Sequence, residues 1–115
     1  MAKWKKLSPE AKLALAGRLR RALARKKGIS EKKMFGGTCF LLKGNMLAGT
    51  GSGDFLFRVG RQAHAAAVKR PGARPMVHGG RRMEGFVWVK AGTRNLAPWI
   101  RLAAAYVATL PPKKR

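Results

Sequence analysis

The sequence is poor in acid. Four carboxylates, Glu10, Glu31, Asp54 and Glu84, stand against 26 lysines and arginines in 115 residues, for a formal net charge of +22. Internal pairing can neutralise few of these cations, so the rest sit in water or meet an external polyanion. Cysteine is scarcer still: Cys39 is alone, which excludes an internal disulfide and any multi-cysteine metal motif. Histidine is limited to His64 and His78, and the four acids show no paired spacing, so general acid–base chemistry has little to work with. No apolar run approaches the ~20 residues of a membrane span, and no apolar core follows the charged start Lys3-Trp4-Lys5-Lys6. These shortages point away from an enzyme, a metalloprotein, a cofactor carrier and an integral membrane protein. The expected location is cytoplasmic.

What is present is foldable. Hydrophobic residues make up 46% of the chain, too many for a disordered basic tail. At this length one domain over residues 1–115 is expected, with a basic arm at 1–7 and a basic tail at 111–115. Twelve of the 26 cations fall in the first 33 positions, whereas residues 34–60 contain only Lys43 and Arg58. A buried sheet flanked by charge follows from that contrast.

Ser8-Pro9-Glu10 reads as a helix start, with Ser8 as N-cap and Pro9 in the first helical position. Leu15, Leu19, Ala22 and Leu23 then repeat at helical spacing as the apolar stripe. Arg18, Arg21 and Arg25 recur on a different face, Lys26 and Lys27 fall in the last turn, and Gly28 is the expected stop. As capping charge on a solvated face, those last cations need no partner at all.

Residues 29–35 read as an entry strand broken by Gly36-Gly37, a pair suited to a bulge or sharp bend. A phosphate-cradling role for the pair lacks the flanking Walker pattern. Residues 38–42 and 46–50 form two strands around a tight turn centred on Gly44-Asn45, and 55–59 is a third. An alanine-rich helix at 61–68 ends at Pro71-Gly72. Residues 73–80, with Pro75 inside, read as loop or edge structure, and 85–89 as a strand. A last helix begins near Asn95 and ends at Pro111-Pro112, its stripe made of Trp99, Leu102, Ala103, Tyr106 and Leu110.

Lys32-Lys33-Met34-Phe35-Gly36-Gly37, then Gly44-Asn45-Met46, Arg58-Val59-Gly60, Pro71-Gly72-Ala73-Arg74-Pro75-Met76, Gly80-Arg81, Met83, Gly85-Phe86-Val87, Leu96 with Trp99, and Leu110-Pro111-Pro112-Lys113 follow one another in an order that resembles the TfoX N-terminal domain family, also called Sxy-like. The resemblance covers nearly the whole chain. It implies an α+β fold, a two-layer α/β domain with an antiparallel sheet and flanking helices in the order α-β-β-β-α-β-β-α. It also implies a link to regulation of bacterial competence. The dominance of basic over acidic residues departs from the family's usual pattern.

The functional expectation is sequence-tolerant binding of nucleic acid, DNA before RNA, without catalysis. The candidate contacts are Lys3, Lys5 and Lys6 of the arm, Arg18, Arg21 and Arg25, then Lys26, Lys27, Lys32 and Lys33, and Arg81 and Arg82. Trp4 could stack on a base or pack back onto the first helix. No helix-turn-helix, zinc or RNA-recognition motif supplies a base-reading device. His64 and His78 fit surface or satisfied histidines, and Cys39 fits a small buried hydrophobe. The alternatives are a module for an acidic protein or anionic surface, or a scaffold whose surface has been deliberately recharged.

Overall fold

Strands of five to nine residues joined by tight turns account for the middle of the chain, and three helices are laid over them. The computed structural model describes residues 9–34, 37–51 and 54–112. Its elements are α1 (Pro9–Ala22), β1 (Ile29–Met34), β2 (Gly37–Leu42), β3 (Asn45–Gly51), β4 (Asp54–Arg58), α2 (Arg61–Ala67), β5 (Ala73–His78), β6 (Arg81–Val89) and α3 (Ala97–Val107). The six strands form one antiparallel sheet in the order β1-β2-β3-β4-β6-β5. The α+β class and the helix-flanked antiparallel sheet are as expected from the sequence.

Four strands precede α2, one more than the expected element order. The order with three strands there comes from the resemblance; the entry strand read from the residues at 29–35 is β1, which pairs with β2 from Ile29↔Leu42 to Met34↔Gly37. Its charged residues, Glu31, Lys32 and Lys33, are those of a sheet edge. The other edge is β5. Pro75 is tolerated there because an outermost strand leaves one row of amides unpaired, and the register shifts between Pro75 and Val77. β6 begins at Arg81, four residues before the strand expected at Gly85.

The β2–β3 turn lies one residue earlier than expected. Leu42 pairs with Asn45, so the central residues are Lys43 and Gly44, with φ of 51° and 85°. Both are positive, as a two-residue hairpin turn of matching twist requires. The first helix also ends early. After Ala22 the bonds Ala24 N–H to Arg21 O and Lys26 N–H to Leu23 O tighten the chain, which places Arg25, Lys26 and Lys27 beyond the helix rather than in its last turn. At α3, Asn95 acts from one position further out than a cap, its Oδ1 accepting from Ala97 N–H at 3.1 Å.

Alternation assigns the strand side chains to two faces. Phe40, Phe55, Phe57, Val87 and Val89 point to the helices and are buried against Leu19 of α1, Leu23 just beyond its end, and Ala103 and Val107 of α3. Trp99 stacks on Phe57 with ring centroids 5.9 Å apart, and the Arg70 guanidinium lies 5.3 Å from the Trp99 ring. Each such side chain contributes about 1.5–3 kcal/mol on burial. Ala67 of α2 belongs to the same cluster, so all three helices lie on this face.

One junction ties the layers together. Gly85, at φ 93°, accepts from Val59 N–H (2.7 Å) and Gly60 N–H (3.2 Å), and its own N–H donates to His64 Nδ1 of α2 (3.0 Å). Gly60, at φ 87°, lies against the Tyr106 ring of α3 so closely that a Cβ would overlap it. β4, β6, α2 and α3 meet at these two glycines.

Candidate nucleic-acid interface

Three of the four acids are already engaged. Glu31 takes a two-pronged contact from Arg20, 2.5 Å from Nε to Oε1 and 2.9 Å from Nη2 to Oε2. Glu84 pairs with Arg61 at 3.1 Å, and Asp54 accepts from Arg74 Nη1 at 2.8 Å and from Ala91 N–H at 3.0 Å. The Arg20 hydrogen bond holds the Glu31 carboxyl below the usual carboxylate range, and Glu31 in turn raises the Arg20 guanidinium. The surplus of cations evident in the sequence therefore has no carboxylate left among these three.

The arginines of α1 divide. Arg18 is half-buried: it donates to the carbonyls of Ala91 (2.8 Å), Thr93 and Arg94 (3.2 Å), and its guanidinium sits 5.1 Å from the Phe55 ring. This side chain fastens the β6–α3 connection to α1. Arg21, one turn later, is exposed. It lines a cleft of about 400 Å³ between α1 and the start of α3, together with Arg18, Arg94, Asn95 and Arg101. The first turn of α3 carries no acid. Four guanidiniums thus converge near the positive end of a helix, an arrangement suited to phosphate.

The remaining expected contacts fall into separate groups. Arg25, Lys26, Lys27, Lys32 and Lys33 are exposed and follow one another from the end of α1 along the β1 edge. Alternation sends Lys33 to the helix side with Glu31 and Lys32 to the opposite side. Arg81 and Arg82 are exposed at the start of β6, four strand spacings from β1 in the sheet order, about 19 Å measured across the strands alone. Lys3, Lys5, Lys6 and Trp4, and the tail cations after residue 112, lie outside the described residues.

Arg94 and Arg101 were not among the sequence-derived contacts. Their signal was positional: Arg94 immediately precedes the capping Asn95, and Arg101 lies one turn into α3. Recognising it requires knowing that α3 begins beside α1.

The groups considered for catalysis are otherwise placed. His64 is buried, and its Nδ1 accepts from Gly85, which puts the proton of the neutral ring on Nε2. Cys39 is buried on the opposite side of the sheet, where burial pushes its thiol up. The side chain of His78 is not among those described. Among the described residues there is no cluster of three or more potential metal ligands, and no helix is long and apolar enough to cross a membrane.

The family model described as the TfoX N-terminal domain matches residues 21–107, most of the chain. No curated protein and no solved structure matched significantly.

Proposed function

This chain belongs to the TfoX N-terminal domain family, and we propose that it serves there as a regulatory domain that binds duplex nucleic acid, DNA foremost, with little sequence preference. The observation that carries the reading is the cleft between α1 and α3, where Arg21, Arg94 and Arg101 gather at a helix start free of acid. The exposed run from Arg25 to Lys33 extends the positive surface from the end of α1. Arg18 contributes charge to the cleft while holding its wall in place. Asn95 lines the same cleft, but its Oδ1 is committed to Ala97 N–H, so phosphate contact rather than base-edge readout accounts for the arginines.

Counterion release gives this reading a quantitative form. Five phosphates neutralised would make log K fall by about 4.5 per log unit of salt. Fluorescence anisotropy with two unrelated 20-base-pair duplexes between about 50 and 200 mM salt should give similar affinities and a steep common slope. Arg94→Ala and Arg101→Ala should each reduce the slope by about 0.9. No binding at ~50 mM salt, or a slope near zero, would rule the reading out.

A further inference from the structure

The helix layer covers one face of the sheet, and the opposite face carries a different chemistry. The pairings Lys32↔Cys39, Cys39↔Gly49, Gly49↔Leu56, Leu56↔Trp88 and Trp88↔Arg74 align one row across all six strands. A neighbouring pair, Arg58↔Phe86, lies alongside. A groove of about 430 Å³ runs over this face, lined by Cys39, Leu56, Met76, Met83, Phe86 and Trp88. Phe86 and Trp88 are half-buried, each with a guanidinium 5.7 Å from its ring: Arg58 at Phe86 and Arg74 at Trp88.

We propose that this groove binds single-stranded nucleic acid, with Phe86 and Trp88 stacking on successive bases and flanking cations holding the backbone. The site lies across the sheet from the duplex cleft and does not depend on it. Asp54 compensates Arg74, and the half-buried Arg58 is shared between the Phe86 and Tyr106 rings, so the charge beside the groove comes from Arg58 at Phe86, from exposed Lys32 at one end of the row, and from exposed Arg81, which alternation places on the side of Met83. None of the three lines the groove itself; they stand at separate points of its rim instead of together at one end. That distribution suits a ligand with a charge at every unit. Two rings two residues apart on one strand offer neighbouring stacking platforms, and methionine sulfur makes favourable contacts with aromatic rings. A duplex has its base faces stacked within it and cannot use such a platform; an unpaired strand can. The row spans five strand spacings, about 24 Å if the sheet were flat, enough for a few nucleotides.

The test titrates labelled twelve-residue oligothymidylate and oligouridylate, beside a 20-base-pair duplex at matched salt, into the wild type and into Trp88→Leu, Phe86→Leu and Trp88→Tyr. Each leucine variant should weaken single-strand binding about fivefold or more, leaving duplex affinity within twofold, while Trp88→Tyr keeps most of it. The relative response of the two strands distinguishes RNA from DNA. Unchanged single-strand affinity in the leucine variants overturns the proposal, as does a tyrosine variant as weak as the leucine one, since the latter would mean that Trp88 acts by packing alone. Displacement of the strand by an alternating Glu/Leu dodecapeptide at lower concentration than by unlabelled strand would make the groove a peptide site instead. Duplex binding without ring-dependent strand binding defeats only this proposal; strand binding without duplex binding defeats only the former one.

Discussion

Arg18 and Arg21 are three positions apart on one helix, yet they have different environments. Arg18 finds three carbonyls more than 70 residues away in the chain and a ring beneath it, whereas Arg21 opens into the cleft. Spacing along α1 could place both among the cations of a basic face, but not separate them, because the carbonyls that bind Arg18 come from a distant turn. Glu31 shows the same limit. Its partner Arg20 is legible as a helix cation, and only the β1 edge lying beside α1 brings them together. Because Arg20 holds the Glu31 carboxyl below its ordinary value, the pair stabilises the fold fully above the unfolded carboxylate range, and that contribution is lost as pH falls through the lowered value. Glu31→Gln should therefore melt at a lower temperature than the wild type near neutrality, with the difference closing as pH falls below the ordinary glutamate range. Thermal melts across that range check it; a constant difference would assign the effect to something other than titration.

At the level of elements, the strands and helices announced themselves through alternation, glycine and proline, while their neighbours did not. Lys43-Gly44, Pro71-Gly72 and Asn95 mark turns and helix starts that are local events. The insertion of β6 between β4 and β5 is a long-range event, and it sets Arg81 and Arg82 four strand spacings from Lys32 and Lys33, one fewer than a simple meander would. It also creates the Gly60–Gly85 junction, whose demand for glycine comes from contacts across the chain. Gly60→Ala would combine a positive φ with overlap of the Tyr106 ring. A loss of about 2–4 kcal/mol is expected, visible as a large fall in melting temperature, whereas a melt within 2 °C of wild type would show that the junction yields easily. The groove face was the least legible element: alternation puts Phe86 and Trp88 on one side of a strand, but nothing local indicates that no helix among the described residues covers that side.

For the whole molecule, the fold isolates an apolar interior from a charge that its own acids cannot balance, and the two unpaired sheet edges lie within that charge. On β1 the exposed Lys32 and Lys33 flank backbone amides and carbonyls that, among the described residues, have no strand beyond them. Such lysines keep one copy's edge from adding to another's. A polyanion that neutralises them removes that protection along with the long-range repulsion between molecules. The protein's colloidal behaviour should consequently be set by mixing ratio: turbidity with DNA should peak near charge equivalence, about one chain per 22 phosphates, and clear when either component is in excess. Light scattering over a titration would reveal the maximum, and its absence would mean that bound chains keep their edges apart by other means. Lys32 and Lys33 thus give β1 a conditional solubility, with the nucleic acid supplying the condition.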